Sequence, residues 1–219
     1  GEGIGINVLL GAAQEVGDTR IGGGVMYQYN GGYDPYEGVG DYNPGDFISV
    51  NGGADWQRDE LTISGNAIFT TYFDDKLDGE KVFKQSTQFD VRLGLAYETD
   101  DYGIGAGLGY LARGRNTFYS PGQSLDEKIF GDEFSVSASY ARKFSEGWYI
   151  KPLAELRLIG ENDQDFGSSD ILGFGAMIGR KLNRQVSFSA GGKYYTGSAD
   201  DGNIDLSGYQ LTAGLSASL

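Results

Sequence analysis

The chain has 219 residues and a formal net charge of −14, with 31 acidic and 17 basic side chains. Nucleic-acid binding depends on Lys and Arg that neutralise phosphates, so this charge argues against that class of partner. The sequence has no Cys and no His, which excludes disulfides, thiolate zinc sites and Ser-His-Asp hydrolysis.

Glycine is abundant, with 37 residues, as are the 15 tyrosines and 12 phenylalanines, whereas there are 4 prolines. This mixture favours many strands joined by tight turns over helices. No linker or change of composition divides the chain, so we predict a single domain over residues 1–219. The sequence contains no apolar run of about eighteen residues, so it predicts no transmembrane helix. The sequence begins at Gly1 without a signal peptide, and we expect a processed form.

Apolar residues alternate with polar or small residues almost from end to end, which is typical of strands with two unlike faces. The alternation divides into about eleven segments, each bounded by turn residues. They lie near residues 3–14, 19–30, 47–57, 61–73, 87–98, 102–115, 133–143, 148–160, 171–181, 186–197 and 208–219. Soluble strands average about five or six residues, whereas a tilted membrane-spanning strand needs about nine to eleven.

The segment 102–112 shows the alternation most clearly. Its even positions, which include Tyr102, Leu108 and Ala112, are apolar, and its odd positions from 103 to 109 are glycine. In the preceding segment the second face is charged, because Asp90 and Arg92 alternate with apolar residues. Each strand is therefore predicted to have one apolar face and one bare or polar face.

The connections between these strands alternate in length. Short connections are predicted at residues 15–18, 58–60, 99–101, 144–147 and 182–185, and long polar ones at 31–46, 74–86, 116–132, 161–170 and 198–207. Short periplasmic turns and long extracellular loops alternate in this way in bacterial outer-membrane barrels.

Aromatic residues gather at the ends of the predicted strands. Those beside the long connections are Tyr27, Tyr29, Tyr72, Phe73, Phe118, Tyr119, Tyr194 and Tyr195, and those beside the short ones are Trp56 and Trp148. Two such belts predict the aromatic girdles of a membrane barrel.

On these features the chain resembles the bacterial outer-membrane β-barrel proteins over essentially its whole length. The resemblance implies an all-β fold, a transmembrane antiparallel up-and-down β-barrel of about 11–12 strands, located in the lipid bilayer of the outer membrane. The last strand looks like the C-terminal assembly signal of this class, although it ends in Leu219 where the class usually ends in an aromatic residue. An even strand number would need one more strand before Gly1. We expect twelve strands in the native protein, with an odd-numbered barrel as the alternative.

Side chains at every second position of a strand share one face, which we call one parity of the strand. The polar parity defines the candidate site. If the apolar parity faces lipid, the interior receives a set of charged side chains that we predict to line a pore. They are Asp55, Asp90, Arg92, Arg113, Arg115, Lys151, Glu155, Arg157 and Lys193. A basic wall would favour acidic solutes. The same charges could instead form a network of ion pairs that fills a closed barrel.

The other motifs predict no catalytic, cofactor or metal site. The glycine rows at 103–109 and 173–179 lack the spacing of a phosphate-binding loop. Asp201, Asn203 and Asp205 have the first ligand spacings of an EF-hand loop, but Leu206 stands where that loop needs Gly and Thr212 where it needs Glu. We therefore interpret the acidic loops as solvated surface rather than as Ca²⁺ ligands.

Two functions remain open for a barrel of this kind, and neither is enzymatic. The first is a narrow channel for small solutes, anionic ones among them. The second is a structural or interaction barrel with a closed lumen, whose acidic, Tyr-rich extracellular loops bind a protein partner or the surface layer. Residues 31–46, with Tyr33, Tyr36 and Tyr42, are the best candidate contact. A soluble β-sandwich adhesin fits poorly, because its outward positions would be polar.

Overall fold

The computed structural model describes residues 4–38, 40–183 and 186–217. Eleven long strands and five short ones follow one another along the chain. They are β1 (Gly5–Val16), β2 (Thr19–Asn30), β3 (Tyr42–Asn43), β4 (Phe47–Arg58), β5 (Leu61–Tyr72), β6 (Asp74–Leu77), β7 (Glu80–Lys84), β8 (Gln88–Glu98), β9 (Tyr102–Arg113), β10 (Asn116–Ser120), β11 (Gln123–Glu127), β12 (Glu133–Lys143), β13 (Trp148–Ile159), β14 (Ser169–Lys181), β15 (Val186–Ala199) and β16 (Ile204–Ala217). The described residues include one 3₁₀ turn, Ser145–Gly147, and no helix that is long and apolar enough to cross a membrane.

The long strands form one antiparallel sheet of eleven strands in the order β1-β2-β4-β5-β8-β9-β12-β13-β14-β15-β16. Each long strand pairs with the next long strand along the chain, so the predicted all-β, up-and-down arrangement is confirmed. β1 and β16 are the two edges of this sheet in the described residues. The twelfth strand stays a prediction, and Leu219 lies outside the described residues.

The register separates an apolar face from a polar face. Leu108 on β9 lies opposite Leu93 on β8 and Val136 on β12, whereas Gly107 lies opposite Gly94 and Ser137. Within the described residues no second layer covers the apolar face, and Leu93 and Leu108 remain 53% and 47% exposed. Ala199 is the one buried hydrophobic residue in the described part of the chain. An uncovered apolar surface of this extent needs a nonpolar solvent, as a bilayer provides.

A second, smaller sheet is built from the first three long connections, with strands in the order β11-β10-β7-β6-β3. The sequence predicted these connections as loops, and the structure corrects that. β6–β7 and β10–β11 are hairpins that begin within three residues of the ends of β5 and β9. They were missed because they are short and charged and have no clear apolar alternation. The predicted loop 198–207 is also shorter, because β15 extends to Ala199 and β16 begins at Ile204.

The aromatic residues divide between the two faces. Tyr27 and Tyr194 lie on the apolar face, as a girdle requires, and Trp56 and Trp148 share that face at the opposite end of the sheet. The neighbour in sequence of an outward residue points inward, since side chains alternate along a strand. The structure therefore corrects four assignments to the girdle. Tyr72 and Tyr195 lie on the polar face, and Phe118 and Tyr119 belong to β10 in the second sheet.

Candidate functional site

The polar face of the large sheet holds the predicted pore-lining residues on five strands. They are Asp55 on β4, Asp90 and Arg92 on β8, Arg113 on β9, Lys151, Glu155 and Arg157 on β13, and Lys193 on β15. Arg115 follows the end of β9, where its guanidinium lies 2.9 Å from the carboxylate of Asp163 in another long connection. It therefore belongs to the mouth formed by the long connections, which we expect to be the extracellular end, and not to a strand face.

At the extracellular end of this face, three arginines meet two carboxylates. Arg92 contacts Asp90 at 2.7 Å. Glu133, at the start of β12, is shared between Arg113 at 3.7 Å and Arg157 at 3.1 Å. Because one carboxylate serves two guanidinium groups, positive charge is in excess here. A cavity of about 340 Å³ lies against these residues and is lined by all of them except Arg113.

The centre of the face contains one ion pair surrounded by small side chains. Lys193 donates a hydrogen bond to Glu155 Oε2 at 2.7 Å. Around this pair lie glycines and small hydroxyl side chains, among them Ser64 and Ser139, which line a cavity of about 370 Å³. Lys151 lines the same cavity and forms no ion pair with a described residue.

The end beside the short turns, which we expect to be the periplasmic end, holds a group of lysines. Lys143 contacts Glu98 Oε1 at 2.8 Å and donates a hydrogen bond to the carbonyl oxygen of Thr99 at 2.7 Å. Lys151 and Lys181 also face Glu98 electrostatically. A cavity of about 380 Å³ is lined by these three lysines together with Glu98.

Several charged residues of the polar face were missed by sequence reasoning. They are Glu15, Arg20, Glu98, Glu133, Lys143 and Lys181. Arg20 pairs with Glu15 at 2.9 Å and lies opposite Asp55 in the register of β2 and β4. The missed residues lie at or near strand ends. Following the alternation of polar and apolar positions to the last residue of each strand would have identified them.

Acidic side chains hold the extracellular connections together. Asp74 accepts a hydrogen bond from Tyr119 at 2.8 Å and forms an ion pair with Lys81 at 2.7 Å. Burial alone would raise the pKa of Asp74, but the bonds from Lys81 and Tyr119 outweigh it and hold the pKa below its usual 3.8. Asn116 is 5% exposed, and its Oδ1 accepts a hydrogen bond from the backbone N–H of Ser86 at 2.6 Å.

The tyrosines of residues 31–46 serve the same internal purpose. Tyr33 and Tyr42 pack edge to face with ring centroids 5.7 Å apart, and the Tyr42 hydroxyl donates to Asp75. Burial, followed by this bond, raises the pKa of Tyr42 to about 12. Tyr36 alone of the three predicted contact tyrosines points freely outward, at 78% exposure. Within the described residues no group of three or more carboxylates is placed to hold a metal ion.

Comparison with solved structures decides the fold. The chain is similar to an outer membrane channel from Pseudomonas putida F1, with a TM-score of 0.58 and 9% identity over 97% of this chain and 82% of that one. It is also similar to the Pseudomonas putida toluene transporter TodX, with a TM-score of 0.50 and 16% identity over 96% of this chain and 73% of that one. The chain has the fold of an outer-membrane β-barrel protein.

This fold and the uncovered apolar face together place the protein in the lipid bilayer of the outer membrane. The predicted resemblance to this class and the predicted location are therefore confirmed. No family model matches the chain, and no curated protein sequence is significantly similar to it.

Proposed function

We propose that this barrel protein is a narrow, non-enzymatic channel for small solutes, and for small anions in particular. The observation that carries the proposal is the row of three adjoining cavities along the polar face. The extracellular and central cavities share Ser137, and the central and periplasmic cavities share Lys151. The three cavities therefore follow one another along the polar face from one end of the strands to the other.

Charge along these cavities supports anions as the favoured solutes. Most cations of the face are paired with carboxylates, as a closed, packed barrel would also require. The pairing is incomplete, however, because Arg113 and Arg157 share Glu133, and Lys151 and Lys181 have no ion-pair partner among the described residues. Uncompensated positive charge in a confined wall lowers the barrier for anions.

Closure of the large sheet into a barrel is part of the proposal. β1 and β16 each present a row of backbone N–H and C=O groups with no sheet neighbour in the described residues. Each unpaired group costs several kcal/mol in hydrocarbon, of the order of 2–7 for an amide. We therefore expect both edges to be paired in the membrane, either with each other or through the predicted twelfth strand.

The test is single-channel recording of the refolded chain in a planar bilayer, with reversal potentials measured across a salt gradient. Wild type should conduct and favour anions. Replacing Arg113 and Arg157 together by Gln leaves Glu133 without its cations, so the reversal potential should shift toward cation selectivity.

A matched control removes charge from the mouth. Glu37→Gln with Glu80→Gln neutralises two exposed loop carboxylates and should change selectivity little, because exposed charges are screened beyond about 8 Å at physiological salt. A chain that does not conduct would contradict the channel. So would an Arg variant that loses thermal stability without any change of selectivity, since the charges would then be packed ion pairs.

The extracellular connections support a second candidate, an interaction barrel. Tyr36 lies outside the small sheet's packing, and Phe130 and Leu125 are 64% and 57% exposed in the third connection. Exposed apolar side chains on a structured loop region are a common feature of protein contacts. Absence of conductance, with the fold intact, would favour this candidate.

A further inference from the structure

The periplasmic cavity combines a cationic wall with an apolar, aromatic wall. It lies between the ends of β8, β9, β12, β13 and β14 and the turn that contains Ser145–Gly147. Its floor is bare, since Gly103 and Gly105 contribute no side chains. The cavity volume of about 380 Å³ is therefore open to an occupant.

One wall is cationic. Lys143 is already engaged, since it contacts both Glu98 and the Thr99 carbonyl oxygen. Lys151 and Lys181 have Glu98 as a more distant neighbour and form no ion pair within the described chain. Each ammonium group has three donors, and a half-buried one such as Lys151 gains from a charged acceptor. This wall is suited to a carboxylate or another small anionic group.

The other wall is apolar and aromatic. The ring of Tyr149 lies directly over Gly179, where an added Cβ would come within 2.4 Å of the ring Cζ. Ala96, Ala141 and Phe144 line the same cavity. Trp148 borders the cavity at the end of β13, while its ring packs on the apolar face against the guanidinium of Arg180 at 5.3 Å and against Phe188 at 5.8 Å. A purely inorganic ion would leave this wall without a contact.

We propose that this cavity binds an organic anion with a small apolar body, such as an aromatic carboxylate. The carboxylate lies between Lys151 and Lys181, and the apolar body lies against Tyr149 and Phe144. The inference rests on the proposed channel function for its biological role, since it names the solute class that pauses at the periplasmic end of the path. Binding itself does not require conduction.

The test uses Trp148, which borders the cavity, as a reporter. In a Trp56→Phe background, the fluorescence of the single remaining tryptophan is followed while benzoate is added to the full chain in detergent, and equilibrium dialysis with labelled benzoate gives the stoichiometry. We expect saturable binding near one benzoate per chain. Acetate lacks the apolar body and benzyl alcohol lacks the charge, so each should bind at least tenfold more weakly.

Variants separate the site from general charge. Lys151→Gln with Lys181→Gln should weaken benzoate binding at least tenfold, whereas Lys76→Gln, which removes an exposed lysine of β6, should leave it unchanged. Circular dichroism confirms that each variant is folded, and Tyr149→Ala provides a second variant that removes the apolar wall without changing charge. It should weaken benzoate binding but not acetate binding.

Each other outcome overturns a stated part of the inference. Absence of saturable benzoate binding by wild type, or equal binding by the double Lys variant, overturns the site. Phosphate or acetate binding as tight as that of benzoate overturns the role of the apolar wall. A chain that conducts but does not bind benzoate contradicts this site alone, and a chain that binds benzoate but does not conduct contradicts the channel alone.

Discussion

Glycine on the polar face marks places where a neighbouring side chain lies close to the backbone. A Cβ at Gly107 would come within 2.7 Å of the Ser137 hydroxyl, and one at Gly173 within 2.9 Å of the Tyr195 ring. The neighbours fill the space that a side chain would need. The glycine rows are therefore a packing feature, and the cavities lie where the neighbours are small.

The two faces should respond differently to a new charge. Leu108→Arg places a guanidinium on the apolar face near the middle of β9, and should reduce the free energy of unfolding by about 2–4 kcal/mol in lipid. Ser137→Arg adds the same charge to the opposite face, where Ser137 is exposed and Glu155 lies across in the register. It should cost much less. Reversible unfolding of both variants in lipid vesicles measures the difference, and equal losses would refute the assignment of faces.

At the scale of elements, two hairpins of the large sheet continue as shorter strands beyond the ends of the long strands. β6–β7 continues the β5–β8 hairpin, and β10–β11 continues the β9–β12 hairpin. The two extensions pair through Phe83 and Phe118, whose ring centroids are 5.2 Å apart. The long connections thus form a sheet with a half-buried aromatic contact of its own, and this sheet holds the loop carboxylates in place.

Asn116 links the two extended hairpins through the hydrogen bond that its Oδ1 accepts from the backbone N–H of Ser86. Asn116→Ala would leave the backbone N–H of Ser86 buried without its acceptor, a loss of about 1–3 kcal/mol. We expect limited trypsin treatment to cut the variant within residues 74–87 while the large sheet stays intact on circular dichroism. Asn43→Ala, at an exposed Asn of the same sheet, is the matched control. Equal protease resistance of N116A and wild type would show that the second sheet does not depend on this bond.

For the whole molecule, the meander order places all short turns at one end of the strands and the long connections at the other. Because the chain has no Cys, single cysteines report the orientation without interference. Ser124→Cys, in β11, should react with a membrane-impermeant maleimide on intact cells, and Glu60→Cys, in the turn between β4 and β5, should react only after the outer membrane is opened. These positions avoid the positive φ of Gly122 and Gly202. Labelling of Glu60→Cys on intact cells would contradict the predicted orientation and show that the short turns face outward.

The sequence by itself determined the strands of the large sheet and the faces of residues such as Leu108 and Arg157. Both follow from period-two alternation, which is a local property of an extended chain between two unlike solvents. The connections were less predictable, because β6, β7, β10 and β11 are short and become strands through contacts between distant loops, such as Phe83 with Phe118.

The chemistry of the site was decided by tertiary structure. Parity places Arg113, Arg157 and Lys151 on one face, but it does not say which carboxylate each one meets. The register brings one Glu133 to two arginines and leaves Lys151 beside an aromatic wall. These pairings join residues on different strands, and their distances depend on how the strands align and not on any local pattern.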